Sequence, residues 1–224
     1  MHHRTSPLTL AGAALAAATL VACTTQPAQT TPPMSFFVTS ANPGRGGDLG
    51  GLAGADAYCE ALAAQADAPS GRTWRAYLST TASDGAAGVN ARDRIGQGPW
   101  YNAKGALIAR DVQALHEANH LDKETALTEK GEPVSGRGDA INLHDMLTGS
   151  MPEGLAVAGP EDTTCGNWSR SGEGSAIVGH HDRQGLDESA PAKSWNSSHA
   201  TRGCSMDALR STGGGGLFYC FAAN

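Results

Sequence analysis

The stretch Thr73-Trp74-Arg75-Ala76-Tyr77-Leu78-Ser79 alternates apolar and polar side chains, with tryptophan, alanine and leucine on one side. This period of two predicts a half-buried β-strand. Another strand is predicted over 35–39, a β-branched and aromatic run that ends at the turn signal Asn42-Pro43-Gly44. Two further short strands are predicted over 176–178 and 217–221.

Helical periodicity is clearest before the 73–79 strand. Apolar side chains recur at intervals of three and four at Ala55, Tyr58, Cys59, Leu62 and Ala63, which predicts an amphipathic helix with Cys59 on its buried face. A second helix is predicted over 111–119. From there to about residue 175 the chain reads mostly as loop, with helix-type periodicity only over 142–147. Together the elements predict one α+β domain with a long loop region, and such loops usually carry function.

Composition limits the classes of partner. The 224 residues include 16 basic and 22 acidic side chains, with a formal net charge of -6 and 17% charged residues. A phosphate backbone requires clustered lysine and arginine, so nucleic acid is not expected as a partner. Many of the apolar residues are alanines in the first 22 positions, and 29 residues are glycine. The rest of the chain has few large apolar side chains, so we expect covalent cross-links to stabilise its fold.

The N-terminus carries an export signal. Residues 1–22 combine a short basic start with an Ala- and Leu-rich run that is too short to span a bilayer. The run ends in Leu20-Val21-Ala22-Cys23, which is similar to the bacterial lipobox and implies acylation of Cys23, whereas an ordinary signal peptide is the alternative. Thr24 after the cysteine favours the outer membrane or cell surface. Residues 23–33 are then a lipidated cysteine with a Pro/Thr tether, and residues 34–224 form the domain.

Four cysteines remain once Cys23 is assigned to lipid: Cys59, Cys165, Cys204 and Cys220. An even number in an exported protein predicts two disulfides, and four cysteines allow three pairings. A structural zinc site is the competing use, but no pair has the Cys-x-x-Cys spacing that such sites favour.

Several segments resemble one family. Gly54-Ala55-Asp56-Ala57-Tyr58-Cys59 followed by the 73–79 strand is similar to the opening of the endostatin domain of collagens. Thr164-Cys165-Gly166-Asn167-Trp168-Ser169 and the closing Leu217-Phe218-Tyr219-Cys220-Phe221 fall where that domain has its later cysteines. The resemblance spans roughly residues 36–222 and implies a C-type-lectin-like fold. It also implies two nested disulfides, Cys59 with Cys220 and Cys165 with Cys204.

The family's ligands do not all carry over. Heparin binding by endostatin uses clustered arginines, whereas this chain is net acidic. Calcium-binding lectins have a Trp-Asn-Asp strand, which Ser194-Trp195-Asn196-Ser197 matches only in part, because Ser197 lacks the carboxylate that calcium requires. The sequence therefore establishes no cofactor, and calcium and zinc are the two candidates.

Two tryptophans flanked by short polar residues suggest a sugar site. An apolar ring face can stack on a pyranose while amides and carboxylates pair with its hydroxyls. The alternative is that both rings belong to the core, as is common in this type of fold. The predicted ligand contacts are Asn167, Trp168, Glu173, Asp182, Trp195 and Asn196.

Two histidine clusters are candidate metal sites. His116-Glu117-Ala118-Asn119-His120 spells the H-E-x-x-H motif, which on a helix places two imidazoles and a general base over zinc. The alternative is a solvated helix face, favoured because Asn119 is a weak helix former. His180 and His181 follow a predicted strand, where adjacent side chains point in different directions. Their alternative role is a hydrogen-bond network that anchors the loop.

These observations predict an exported, lipid-anchored, non-catalytic binding protein whose ligand is a carbohydrate. The first alternative is a surface adhesin that binds host or matrix proteins through a flat face. The second is a zinc metalloprotease built on His116, Glu117 and His120. No other enzyme motif, such as Gly-x-Ser-x-Gly or a phosphate-binding loop, occurs in the sequence.

Overall fold

A computed structural model describes residues 1–3, 31–83 and 85–224. The chain divides into two units, Met1–Thr30 and Thr31–Asn224, and the second unit is the subject of the following paragraphs. Cys23 and most of the predicted signal peptide and tether lie outside the described residues. No helix within the described ranges has the length and apolar character needed to cross a membrane.

The second unit is built around a mixed β-sheet. Six strands of the described residues form it, in the order β1-β8-β5-β6-β7, with β2 also paired to β8. Strand β5 is parallel to β8, and the other pairings are antiparallel. Strands β3 and β4 form a separate two-stranded sheet. The strands are β1 Phe36–Val38, β2 Trp74–Ala76, β3 Trp100–Tyr101, β4 Leu107–Ala109, β5 Asp145–Leu147, β6 Ile177–His180, β7 His199–Ala200 and β8 Gly214–Ala222.

Helices are few and short apart from the first. The α-helical segments are α1 Gly51–Gln65, α2 Val112–Glu117, α3 Cys165–Trp168 and α4 Met206–Arg210. The four residues of α3 all have positive φ angles between 50° and 65°, so α3 is a single left-handed turn. L-residues resist this conformation. The turn is held by the disulfide of Cys165 and by the side chain of Thr164, which accepts a hydrogen bond from the Asn167 amide.

The long strand β8 separates two cores. Phe218, Cys220 and Ala222 face a cluster covered by α1, while Tyr219 and Phe221 face a second cluster formed with the loop region. All nine residues of β8 are buried. Because successive side chains of a strand point to opposite faces, alternate residues of β8 pack into different cores.

Both predicted disulfides are confirmed, with the nested pairing. Cys59 of α1 is bonded to Cys220 of β8, and Cys165 is bonded to Cys204. All four cysteines lie in the first core. The two disulfide bonds thus compensate for the small number of large apolar side chains.

The mixed α+β class is confirmed, as are the four predicted strands and the helix that carries Cys59. The helical periodicity over 142–147 was misleading, because Asp145–Leu147 forms β5 between β6 and β8. A strand buried on both faces carries continuous apolar residues rather than alternation, so period alone does not identify it. The second helix is shorter than expected, since it ends at Glu117.

Removing the disulfides is expected to lower stability in proportion to the loop that each closes. The sequence separations are 161 and 39 residues, for which the chain-entropy relation gives losses of about 5 and about 4 kcal/mol. We expect C59A/C220A to lower the free energy of unfolding more than C165A/C204A. Urea unfolding monitored by circular dichroism measures both values, with the oxidised wild type as the reference. A loss below about 1 kcal/mol in either double variant would contradict a structural role for that disulfide.

Candidate metal centre

Three imidazoles converge on one buried carboxylate oxygen. The Nε2 atoms of His144, His180 and His199 lie 3.1, 3.4 and 3.5 Å from Oδ1 of Asp145. Atoms of His144, Asp145 and His180 that can ligate a metal also lie within 4.8 Å of one another. We call these four residues the histidine–aspartate centre.

Neighbouring strands bring the centre together. Asp145 of β5 is the direct cross-strand partner of His180 in β6, so the two side chains share a face. His199 of β7 pairs with Val178, two residues before His180, and therefore lies on that same face. His144 directly precedes β5 and approaches the carboxylate from the strand end. Residues from three separate parts of the sequence thus meet at one edge of the sheet.

Glycines next to the centre leave room for it. The pairing of β5 with β8 shifts register after Asp145, opposite the glycine-rich start of β8. A Cβ atom on Gly213, whose φ is +111°, would lie 3.0 Å from Nε2 of His144, and one on Gly214 would lie 3.0 Å from Cβ of Asp145. Bulges of this kind often re-aim side chains at functional sites. The glycine run therefore allows β8 to pass behind the ligand atoms.

Each imidazole is oriented by its other nitrogen. Nδ1 of His144 lies 3.3 Å from Oδ1 of Asp182, Nδ1 of His180 lies 2.7 Å from the Ala192 carbonyl oxygen, and Nδ1 of His199 lies 3.2 Å from the Ala200 carbonyl oxygen. A carbonyl or carboxylate oxygen can only accept, so each Nδ1 carries a proton. Once the proton on Nε2 is lost, this tautomer leaves the Nε2 lone pair free for a cation. This is how metal-binding histidines are normally held by their surroundings.

The atoms of the centre approach one another without forming hydrogen bonds. Both carboxylate oxygens of Asp145 and Nε2 of His180 are buried and have no hydrogen-bond partner among the described residues. Ligand atoms bound to a tetrahedral zinc ion at about 2.0 to 2.1 Å are about 3.3 Å apart. The Nε2 atoms of His144 and His180 lie close to this separation from Oδ1 of Asp145. The ligand atoms of these three residues lie within 4.8 Å of one another, and His199 is not part of that set. His144, Asp145 and His180 are therefore the candidate ligands of a small cation, with His199 beside them.

The charges of the centre are strongly coupled. Burial alone would lower the pKa of His144, but the carboxylates of Asp145 and Asp182 outweigh it and raise the pKa to about 9. Burial opposes ionisation of Asp145, yet the three imidazoles hold the pKa of this carboxyl well below its usual range. The pKa of His199 is raised by the same carboxylate. Asp145 therefore remains an anion, and a bound cation would replace the imidazole protons as its counter-charge.

The centre opens into a cavity. His144, His180 and His199 line a pocket with a volume of about 520 Å³. Asp145 is 2% exposed, whereas the side chain of His199 is 36% exposed. A ligand in the cavity would therefore meet the imidazoles of the centre, with His199 nearest to solvent.

The two tryptophans predicted to contact sugar are core residues. Trp168 is fully buried and donates its indole N–H to the Ser79 carbonyl oxygen at 2.7 Å. Trp195 is 3% exposed and packs between the rings of Tyr77 and Tyr219. Neither ring offers the exposed face that stacking on a sugar requires.

The four polar residues of the predicted sugar site lie in different places. Asn196 is buried and donates to the Tyr77 hydroxyl at 3.0 Å, and Asn167 accepts a hydrogen bond from the Thr81 amide at 2.7 Å. Glu173 is exposed and does not line the cavity. Only Asp182 contacts the centre, through Nδ1 of His144. The six predicted contacts therefore do not assemble into one site.

The H-E-x-x-H motif does not form a metal site. Helix α2 ends before His120, so the two histidines do not share a helical face. Both nitrogens of His116 are occupied, because Nδ1 donates to the Val112 carbonyl oxygen at 2.7 Å and Nε2 accepts from the Tyr77 hydroxyl at 2.8 Å. No lone pair of His116 remains for zinc.

The two adjacent histidines have different environments. His180 is a member of the centre, whereas His181 is buried with its Nε2 directed at the Ser135 carbonyl oxygen at 3.3 Å. Burial lowers the pKa of His181. Of the four histidines proposed from the sequence as metal ligands, the structure therefore brings only His180 to the centre.

His144, Asp145 and His199 were not identified from the sequence. One usable signal was the ionisable pair His144-Asp145 directly before the apolar pair Met146-Leu147. A carboxylate at the start of an apolar run is expensive to bury unless it has a partner. His199 gave no comparable signal, because its role depends on strand pairing.

Comparison with known proteins does not assign the chain to a family. No protein-family model matches it, and no curated protein matches it either.

His116 provides a pH test of its structural role. Burial lowers the pKa of His116 below its ordinary value of 6.5, so the folded protein resists a proton that the unfolded chain accepts. The stability that this residue contributes is complete above pH 6.5 and is lost as the pH falls below it. We expect H116Q to flatten the decrease in unfolding free energy between pH 6.5 and 5, measured by urea titration. A slope in H116Q equal to that of the wild type would contradict this role.

Proposed function

We propose that this protein is an exported, lipid-anchored binding protein that uses zinc at the histidine–aspartate centre to hold a carbohydrate ligand in the adjoining cavity. The observation that carries the proposal is the clustering of the ligand atoms of His144, Asp145 and His180 within 4.8 Å of one another. The lipid anchor and the lectin-like character come from the sequence alone. The two disulfides are consistent with a location outside the cytoplasm.

The donor set favours zinc over calcium. Imidazole nitrogen and a single carboxylate are typical zinc ligands, whereas calcium takes six to eight oxygen ligands. His144 and His180 are almost fully buried, and the Nδ1 atom of each faces an acceptor oxygen. The atoms that they offer to a cation are therefore nitrogens. The site therefore supports zinc as the candidate cofactor.

Buried charge also favours a bound cation. Asp145 and Asp182 lie close to His144 in a region with little exposure. Such charges are costly to bury unless opposite charge lies beside them. A divalent cation in contact with Asp145 would provide that charge directly. The same centre would then be both a local structural support and the floor of a ligand site.

Binding without catalysis is the simpler use of this cavity. The carboxylate of Asp145 faces the metal position, Asp182 is committed to His144 and two backbone amides, and Asp187 accepts from the Ser189 amide at 2.9 Å. Asp187 is the one carboxylate among the described cavity-lining residues, and none of its hydrogen bonds or ion pairs reaches the centre, so no general base is held against a metal-bound water. Serine and threonine hydroxyls at the cavity wall suit the hydroxyls of a sugar instead.

A protein-binding adhesin is the second candidate. Leu186 lines the same cavity and is 89% exposed. An apolar side chain of this kind at a pocket rim can be covered by a partner protein. The adhesin alternative therefore uses the same face of the domain, with Leu186 in place of the metal as the main contact.

Zinc binding is the first test. We expect the purified, oxidised protein to bind one zinc ion per chain in isothermal titration calorimetry, and D145N and H180A to lose at least about 100-fold in affinity. D182N should lose about 10- to 100-fold, because it removes only the partner of His144. H120A, at an exposed histidine outside the centre, should bind like the wild type. Circular dichroism of each variant separates loss of a ligand from loss of the fold.

Ligand binding is tested on the same protein. A glycan array probed with zinc-loaded protein and with chelator-treated protein should show hits only in the zinc-loaded sample. Zinc binding with a blank array and capture of matrix proteins sensitive to L186A would favour the adhesin. A protein that binds no zinc, or glycan hits that survive the chelator, would overturn the proposed role of the centre.

A further inference from the structure

We infer that the ligand of the cavity is an acidic sugar whose carboxylate takes the open fourth position of a zinc ion held by His144, Asp145 and His180, and pairs with Arg137 and Arg202. This inference deepens the proposed function and rests on it. It is carried by two features of the described residues: a set of three metal-ligand residues that leaves a fourth position open, and two cavity-lining arginines without an acidic partner.

His199 is the least constrained member of the centre. It belongs to the two-residue strand β7 at the end of the sheet order, and its Nε2 has the longest approach to Asp145, at 3.5 Å. Its Nδ1 is held only by the carbonyl oxygen of the next residue, Ala200. His144 and His180, in contrast, are held by distant parts of the chain and are buried. Zinc held by three protein ligands with an exchangeable fourth position is the arrangement that binds external ligands.

Two arginines line the same cavity. Arg137 is half-buried and Arg202 is exposed, and neither forms an ion pair within the described part of the chain. The backbone amide of Arg137 donates to Oδ2 of Asp182 at 2.6 Å, and Asp182 also holds His144. The loop that carries Arg137 is therefore tied to the centre itself.

The charge of the cavity differs from that of the whole chain. The formal net charge is -6, yet the cavity wall contributes two arginines and one aspartate, Asp187, whose carboxylate is turned to its own loop. With zinc present, the cavity is cationic. Arginine pairs with carboxylates through two parallel hydrogen bonds. An anionic ligand would thus supply the counter-charge that the arginines lack.

The remaining wall fits a sugar ring better than a simple anion. The cavity of about 520 Å³ is far larger than one carboxylate. Hydroxyls of Ser198, Ser211 and Thr212 line it and can pair with sugar hydroxyls, while Leu186 and Pro191 offer apolar surface to a ring face. A hexuronic acid combines the carboxylate, the hydroxyls and the apolar face in one monosaccharide.

The test compares two sugars that differ only in the acid group. Methyl glucuronoside and methyl glucoside are titrated into zinc-loaded protein and into chelator-treated protein by calorimetry. We expect the glucuronoside to bind at least tenfold more tightly than the glucoside, and only when zinc is bound. Replacing zinc by cobalt gives an independent readout, since the visible spectrum of the cobalt protein should change when the glucuronoside takes a metal position.

Variants assign the arginines and His199. R137Q and R202Q should each weaken glucuronoside binding about tenfold without changing zinc affinity, whereas R210Q, an exposed arginine outside the cavity lining, should have no effect. H199A should retain both zinc and the glucuronoside, because His199 is not one of the three metal-ligand residues. Loss of zinc binding in H199A would overturn this ligand set and with it the open fourth position.

The outcomes separate the two proposals. Equal binding of both glycosides, binding of acetate or inorganic phosphate as tight as that of the glucuronoside, or unchanged affinity in R137Q and R202Q would overturn the acidic-sugar inference while leaving the zinc site in place. Binding of an acidic peptide with the neutral and acidic sugars both inactive would overturn it in favour of a protein ligand. A protein that takes up no zinc would overturn the proposed function and this inference together.

Discussion

The complete burial of β8 is the constraint on which the structure depends. The strand receives β1 and β2 near its C-terminal end and β5 near its start, and its alternate residues enter two different cores. The disulfide from Cys59 to Cys220 fixes α1 against the same strand. Because backbone groups inside a protein must be paired, displacement of β8 would expose both cores and the unpaired edges of three strands at once.

The geometry of the candidate metal centre depends on the strands of the sheet rather than on the loops around the centre. Asp145 and His180 are aligned because β5 lies between β8 and β6, and Gly213 and Gly214 keep the start of β8 clear of the ligand atoms. Gly179 has a similar role in β6, since a Cβ atom there would lie 2.0 Å from the Trp195 carbonyl oxygen. The loop around Trp195 can therefore approach β6 closely enough for His180 to bond with it. The tryptophans contribute to the site indirectly, through packing.

The buried charges of the centre are its distinguishing physical property. A carboxylate that is 2% exposed, with three imidazoles at 3.1 to 3.5 Å and no aligned hydrogen bond, is a poor arrangement for a purely structural network. The ligand atoms of His144, Asp145 and His180 lie within 4.8 Å of one another, and an acceptor oxygen lies behind each Nδ1. The zinc ion that we propose would compensate the charge of this buried cluster. The exposed position of His199 connects that cluster with the cavity.

The sequence by itself determined the mixed α+β class, the main strands, the helix that carries Cys59 and the two disulfides, because these follow from local periodicity, from composition and, for the pairing, from a resemblance to a known family. It also identified His180 and Asp182 as candidate site residues. Only the tertiary structure decided that Trp168 and Trp195 are core residues, that His116 is fully hydrogen-bonded, and that His144, Asp145 and His199 join His180. The reason is physical: Asp145, His180 and His199 lie on three strands and are separated by 35 and 19 residues in the chain, and cross-strand register, which no local pattern encodes, brings their side chains together.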